Sequence, residues 1–165
     1  MEEPKKALVL YYSRTGNCRA VAQAIGETLQ CPMQEIKDLK NRAGFWGFIS
    51  GMIDIRKKPI TEIAPKTVDL SPYDRIYLGS PIWGMRFAPA ITTVLNTFDF
   101  KSKKVVLFAV ATGKFKQAQL EAYGKSLSEK GAQVAGTFVL KTRKKTSAQL
   151  LQEAKAVLKT SLIKP

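Results

Sequence analysis

Residues Ala7-Leu8-Val9-Leu10-Tyr11-Tyr12 form an unbroken apolar run that ends in turn residues, the pattern of a strand buried on both faces of a parallel sheet. From Gly16 the spacing becomes helical. Val21, Ile25 and Leu29 fall four residues apart, and Cys31-Pro32 stops the pattern. Met33 to Ile36 reads as a short strand, Arg75-Ile76-Tyr77-Leu78-Gly79 as another, and Phe87 to Phe98 as a helix that carries Pro89 in its first turn. The unit then recurs: a strand over Lys104 to Val110, a helix over Lys116 to Lys130 ending at Gly131, a strand over Gln133 to Leu140 and a helix over Ser147 to Leu162.

Five strands alternating with helices require right-handed crossovers, which predicts an α/β fold: a doubly wound, five-stranded parallel sheet covered on both faces. A single domain over residues 1–165 is the expectation for this length. Ligands of such sheets sit beyond the carboxyl ends of the strands where strand order reverses. The loops after Tyr12, Gly79 and Val110 are therefore the first places to look for chemistry.

Composition narrows the classes. No run approaches the roughly 20 apolar residues that span a bilayer, and Met1-Glu2-Glu3-Pro4-Lys5-Lys6 lacks a signal peptide's hydrophobic stretch, so a cytoplasmic protein without a transmembrane segment is expected. Two cysteines, Cys18 and Cys31, are too few for a disulfide framework, and no metal site is expected. Histidine is absent, which removes the side chain best suited to proton transfer near neutral pH and points to chemistry on a borrowed group. Against 13 Asp and Glu stand 27 Lys and Arg, a net charge of +14 that favours acidic partners or polyanions. Lys141 to Lys145 is the one compact basic run, and without interleaved aromatics it predicts no specific nucleic-acid binding.

The loop after the first strand, Ser13-Arg14-Thr15-Gly16-Asn17-Cys18, sets polar side chains around one glycine at the mouth of a helix. Helix N-terminal amides and hydroxyls in that arrangement can surround a phosphate dianion, and the glycine lets the backbone approach it. A well-capped helix start is the plainer reading. Neither Gly-x-Gly-x-x-Gly nor the Gly-Lys-Ser/Thr ending of a triphosphate loop is present, so a monophosphate fits better than a dinucleotide or triphosphate.

With Gly79-Ser80-Pro81-Ile82-Trp83-Gly84 after the third strand, this loop resembles the flavodoxin family, whose Ser/Thr-x-Thr-Gly-Asn-Thr loop grips the phosphate of flavin mononucleotide (FMN); Cys18 stands where the family has its last Thr. Flavodoxin is itself the standard example of strand order 2-1-3-4-5 with the flavin at the switch point, so that order is borrowed from the family. The resemblance, to the short-chain type, implies that Ser13, Arg14, Thr15, Gly16, Asn17 and Cys18 surround the phosphate. It places Ser80, Pro81, Ile82, Trp83 and Gly84 beside the isoalloxazine, with Trp83 packed on the ring and a turning Gly84 peptide offering its carbonyl to the flavin N5–H. Thr112, Gly113, Lys114 and Phe115 occupy the second flanking loop, Lys114 near N1 and Phe115 over the other ring face; read plainly, Lys114 is solvated and Phe115 anchors the next helix.

Three departures from the family stand out. A basic chain in place of an acidic one predicts a less negative potential for forming the reduced flavin anion. A longer connection, Asp38 to Tyr73, carries an added segment at about 38–66 with Gly44-Phe45-Trp46-Gly47-Phe48-Ile49 and Arg56-Lys57-Lys58, open to roles as a flavin cover, a partner or lipid contact, or a helix on the sheet. Cys18, at a helix N-terminus between Arg14 and Arg19, is either an activated thiolate or a small loop residue. The expected function is electron transfer through FMN between redox protein partners, with a flavin-dependent NAD(P)H:quinone-type reductase as the alternative. A basic binding module without flavin is the third class.

Overall fold

The computed structural model describes residues 6–40 and 60–162. Its main sheet contains β1 (Ala7–Tyr11), β2 (Met33–Glu35), β5 (Arg75–Trp83), β7 (Lys104–Ala111) and β8 (Gln133–Lys141), hydrogen-bonded in the order β2-β1-β5-β7-β8 and all parallel. Counted along the chain, these five have the 2-1-3-4-5 order that the resemblance implies.

Alternate strand residues face opposite layers, as the pleat requires. Leu8, Leu10, Ile76, Leu78, Val105 and Leu107 pack with Ile91, Val94 and Leu95 of α2 (Pro89–Thr97) and Leu120 and Leu127 of α3 (Gln117–Glu129). Val9, Tyr11, Tyr77, Val106 and Phe108 pack with Val21 and Ile25 of α1 (Asn17–Leu29) and Leu150 and Ala154 of α4 (Ser147–Val157). Both faces of the sheet are thus covered. Beyond α4 the chain loosens into a π-type turn, Leu158–Leu162, where periodicity alone predicts continued helix. No helix among the described residues is long and apolar enough to cross a membrane.

The strand read as Arg75–Gly79 runs on to Trp83. Its neighbour β1 ends at Tyr11, opposite Gly79, whereas β7 keeps pairing as far as Pro81 against Val110. The extension then folds back on itself through β6 (Arg86–Phe87), pairing Ile82 with Phe87 and Trp83 with Arg86. The two turn residues, Gly84 and Met85, lie at φ 52° and 69°, as a two-residue hairpin turn of the right twist demands. Met85 lacks glycine's freedom, and a side chain there costs about 1–2 kcal/mol.

The added segment leaves and re-enters the fold through a second, two-stranded sheet, in which β3 (Lys37–Asp38) pairs antiparallel with β4 (Ile63–Ala64). The Thr61 hydroxyl donates to Asp38 at 2.8 Å, and the Thr61 amide donates to the Thr93 hydroxyl of α2 at 2.9 Å. Gly44 to Ile49 and Arg56 to Lys58 lie outside the described residues.

Cys18 corrects one alternative. Its side chain is 1% exposed in the layer between α1 and the sheet, and burial, aided by the Glu35 carboxylate, pushes its thiol well above the usual thiol range. A buried, protonated thiol is no nucleophile. Thiol reagents should modify half-buried Cys31 in the native protein and reach Cys18 only on unfolding, checked by counting reactive thiols with and without denaturant. A second expectation concerns Gly79, where a Cβ would lie 2.0–2.6 Å from the Phe108 ring. Gly79→Ala should destabilise the fold by about 2 kcal/mol or more, read as a lower denaturation midpoint, with Phe108→Leu restoring part of the loss.

Candidate functional site

Where β1 stops and β5 continues, the carboxyl edge of the sheet opens into a cleft of about 300 Å³. Ser13, Arg14, Thr15, Asn17 and Cys18 bound it on one side, and Pro81, Ile82, Trp83 and Gly84 on another; Val110 near the end of β7, Thr112 and Gly113 after it and Thr142 after β8 complete it.

The first loop is shaped from within. Gly16 takes φ 91° as the N-cap of α1, a conformation that favours glycine, and a Cβ there would meet nothing within 4 Å. The Ser13 hydroxyl accepts from the Gly16 amide at 3.2 Å and from the Arg19 amide at 3.1 Å, which binds the loop to the helix start. Asn17 and Cys18, the first residues of α1, have no carbonyl one turn back for their amides, and the helix dipole adds positive potential beside them. An anion finds both at once. Arg19 turns outward to β2, where its Nη2 donates to both Glu35 carboxylate oxygens at 2.7 and 3.0 Å. Arg14 turns inward, its guanidinium carbon 5.8 Å from the Trp83 ring centroid, within cation–π range.

The hairpin after β5 aims Trp83. Tyr12 meets the indole edge-on at 5.7 Å, and Phe87, on the return strand, is buried and stacked on Tyr123 of α3 at 4.1 Å. The Tyr123 hydroxyl accepts from the Phe87 amide at 3.1 Å. Ser80 is fully buried and does not line the cleft. Its hydroxyl accepts from the Ala88 amide at 3.0 Å and donates to the Pro81 carbonyl at 2.9 Å, bracing the hairpin against α2.

The loop after β7 is held by its neighbour. Lys141 Nζ donates to the carbonyls of Gly113 and Phe115 at 3.0 and 3.1 Å, and the Thr112 and Thr142 hydroxyls lie 3.0 Å apart. Phe115 is 6% exposed and anchors the start of α3 in the core, and Lys114 projects into solvent. Neither lines the cleft.

The structure thus brings together Ser13, Arg14, Thr15, Asn17, Cys18, Pro81, Ile82, Trp83, Gly84, Thr112 and Gly113, with Gly16 shaping their first loop, and leaves Ser80, Lys114 and Phe115 outside. Sequence reasoning missed Val110, Lys141 and Thr142. The last two directly follow or end the strand next to β7, so the carboxyl-edge rule, extended one strand further, locates them.

The family profile described as flavodoxin matches residues 6–146, most of the chain. A flavoprotein from Lactobacillus acidophilus, solved in complex with FMN, is 26% identical, with a TM-score of 0.69 over 82% of this chain and 93% of that one. A candidate flavoprotein from Bacteroides uniformis is 23% identical, with a TM-score of 0.77 over 95% and 99% of the two chains. Oxidised flavodoxin 2 from Bacillus cereus is 20% identical, with a TM-score of 0.57 over 93% and 98%. No curated protein sequence matches. With the profile matched from β1 to the start of α4, and the fold and strand order shared with these structures, the chain belongs to the flavodoxin family.

Proposed function

We propose that this chain binds FMN in the cleft and carries electrons between redox proteins. The observation that carries the reading is the convergence of three loops at the switch point, with an anion-ready helix start on one side and a braced tryptophan on the other. The relative from Lactobacillus acidophilus, solved with FMN, supports it.

The residues present fit such a group. Ser13, Thr15, Gly16, Asn17 and Cys18 hold the phosphate, chiefly through backbone amides at the start of α1. Trp83 and Ile82 cover the ring system, and Gly84 supplies a peptide that can turn at low conformational cost beside it. Thr112 and Gly113, held by Lys141 and Thr142, close the opposite side. At Gly16, Gly84 and Gly113 a Cβ would meet nothing within 4 Å, so all three glycines border open space.

When bound, FMN supplies one- and two-electron redox chemistry that no side chain here offers. The chain positions it, shields one face with the indole, and places the Arg14 guanidinium beside it. Both described cysteines are free, which suits the reducing cytoplasm to which we assign the protein.

Titration of the purified protein with FMN should give a saturable, shifted flavin spectrum with quenched fluorescence; absence of binding would overturn this reading. Steady-state oxidation of NADH or NADPH with a quinone should require an added reductase, and turnover by the protein alone would assign it to the reductases instead. Gly16→Val, forced to φ 91° with a branched side chain, should weaken FMN binding by about tenfold or more while leaving the far-ultraviolet circular dichroism intact. Trp83→Ala should cost about 1 kcal/mol of binding, roughly fivefold in Kd, and relieve part of the fluorescence quenching.

A further inference from the structure

The four stretches that form the carboxyl edge around the cleft, residues 13–18, 80–90, 111–119 and 141–152, contain no Asp or Glu. They carry eight cations: Arg14 in the first, Arg86 in the second, Lys114 and Lys116 in the third, and four between Lys141 and Lys145 in the last. Carboxylates border these stretches: Glu35 ends β2, and Glu153 pairs with Lys145 at 2.7 Å. Arg86, Lys114, Lys116, Arg143 and Lys144 are exposed, and among the described residues none of the five has a carboxylate within ion-pair reach.

The helices add to the same field. None of the four described helices has an acidic residue in its first turn, the position where Asp and Glu ordinarily offset the positive end of the dipole. All four start at the carboxyl edge, since each follows a strand of the parallel sheet or its hairpin. Between Arg14 after β1 and the cations after β7 and β8, the hairpin presents Ile82, Trp83 and Met85, the last 46% exposed. An apolar, aromatic centre inside a charged rim is the anatomy of a protein-binding face.

We propose that this edge is a docking face for an acidic redox protein, which sets carboxylates against Lys116, Arg143 and Lys144 and an apolar contact against Trp83 and Met85. The proposal rests on the reading of the cleft as the FMN site, which puts the electron exit at the centre of the face. A single-stranded nucleic acid is the weaker occupant, because one tryptophan offers no series of stacking platforms and the basic run 141–145 contains no aromatic residue. Complementary charge draws the partner in over a Debye length of about 8 Å at physiological salt, and the apolar centre gives it register.

The test uses the full chain loaded with FMN, its loading read first from the visible spectrum. It is then titrated calorimetrically with the acidic haem domain of cytochrome b5, and separately with basic cytochrome c, at about 20 and about 200 mM ionic strength. The expected result is binding of the acidic domain alone, weakened about tenfold by the added salt. At low salt, the triple variant Lys116→Glu, Arg143→Glu, Lys144→Glu should lose about tenfold in affinity, and the remote triple Lys101→Glu, Lys125→Glu, Lys159→Glu, with the same change in net charge, about twofold or less. Equal losses in the two triples, or binding of the basic cytochrome, would overturn the docking face. So would tighter binding of a twelve-residue oligothymidylate that depends on the same three residues, which would assign the face to nucleic acid. Loaded protein that ignores the acidic domain refutes the docking face alone, whereas protein that takes up no FMN refutes the flavin reading and the docking face with it.

Discussion

Strand β5 outruns β1, and the site depends on that inequality. The two strands pair residue for residue until Tyr11 meets Gly79; β1 then leaves for the first loop while β5 continues beside β7 to Pro81. Crossovers on either side of this pair go to opposite faces of the sheet, so no element among the described residues fills the space beyond β1. On the other side of β5, the Phe108 ring of β7 lies directly over bare backbone at Gly79, where any larger residue would clash with it. The cleft is a consequence of the packing beneath it.

Polar residues around the cleft spend much of their hydrogen-bonding capacity on the protein. Ser13 ties its loop to the helix start, Ser80 braces the hairpin, Lys141 grips two carbonyls of the third loop, and Thr142 backs Thr112. Loops at a sheet edge carry many backbone groups without ladder partners, and each one left buried and unpaired costs about 1–3 kcal/mol. Side chains that satisfy them also hold the loops in one shape, so that backbone amides and glycines are left to meet a ligand. This division of labour explains why some residues of the matching motifs line the cleft and others stand behind it.

Charge and shape have different origins here. Apart from Lys141, which grips the third loop, the exposed Lys and Arg of the carboxyl edge contribute little to stability. Exposed cations such as Arg86, Lys114, Lys116, Arg143 and Lys144 add positive charge near the cleft without altering the core.

Much of the architecture was legible in the residues. Continuous apolar runs such as Ala7 to Tyr12 and the four-residue spacing of Val21, Ile25 and Leu29 are local consequences of burial and helical pitch, so they determine which segments are strand and which are helix. The glycine-centred loop and Trp83 were legible for the same reason: their chemistry depends on neighbours in sequence. Tertiary structure alone decided where β5 ends, because Gly79-Ser80-Pro81 looks like a turn until β7 supplies a partner beyond it. It also decided that Cys18 is sealed, that Phe115 belongs to the core, and that Lys141 and Thr142 serve a loop some thirty residues away. Each of these depends on which distant backbone or layer lies opposite a residue, and periodicity along one chain carries no record of that.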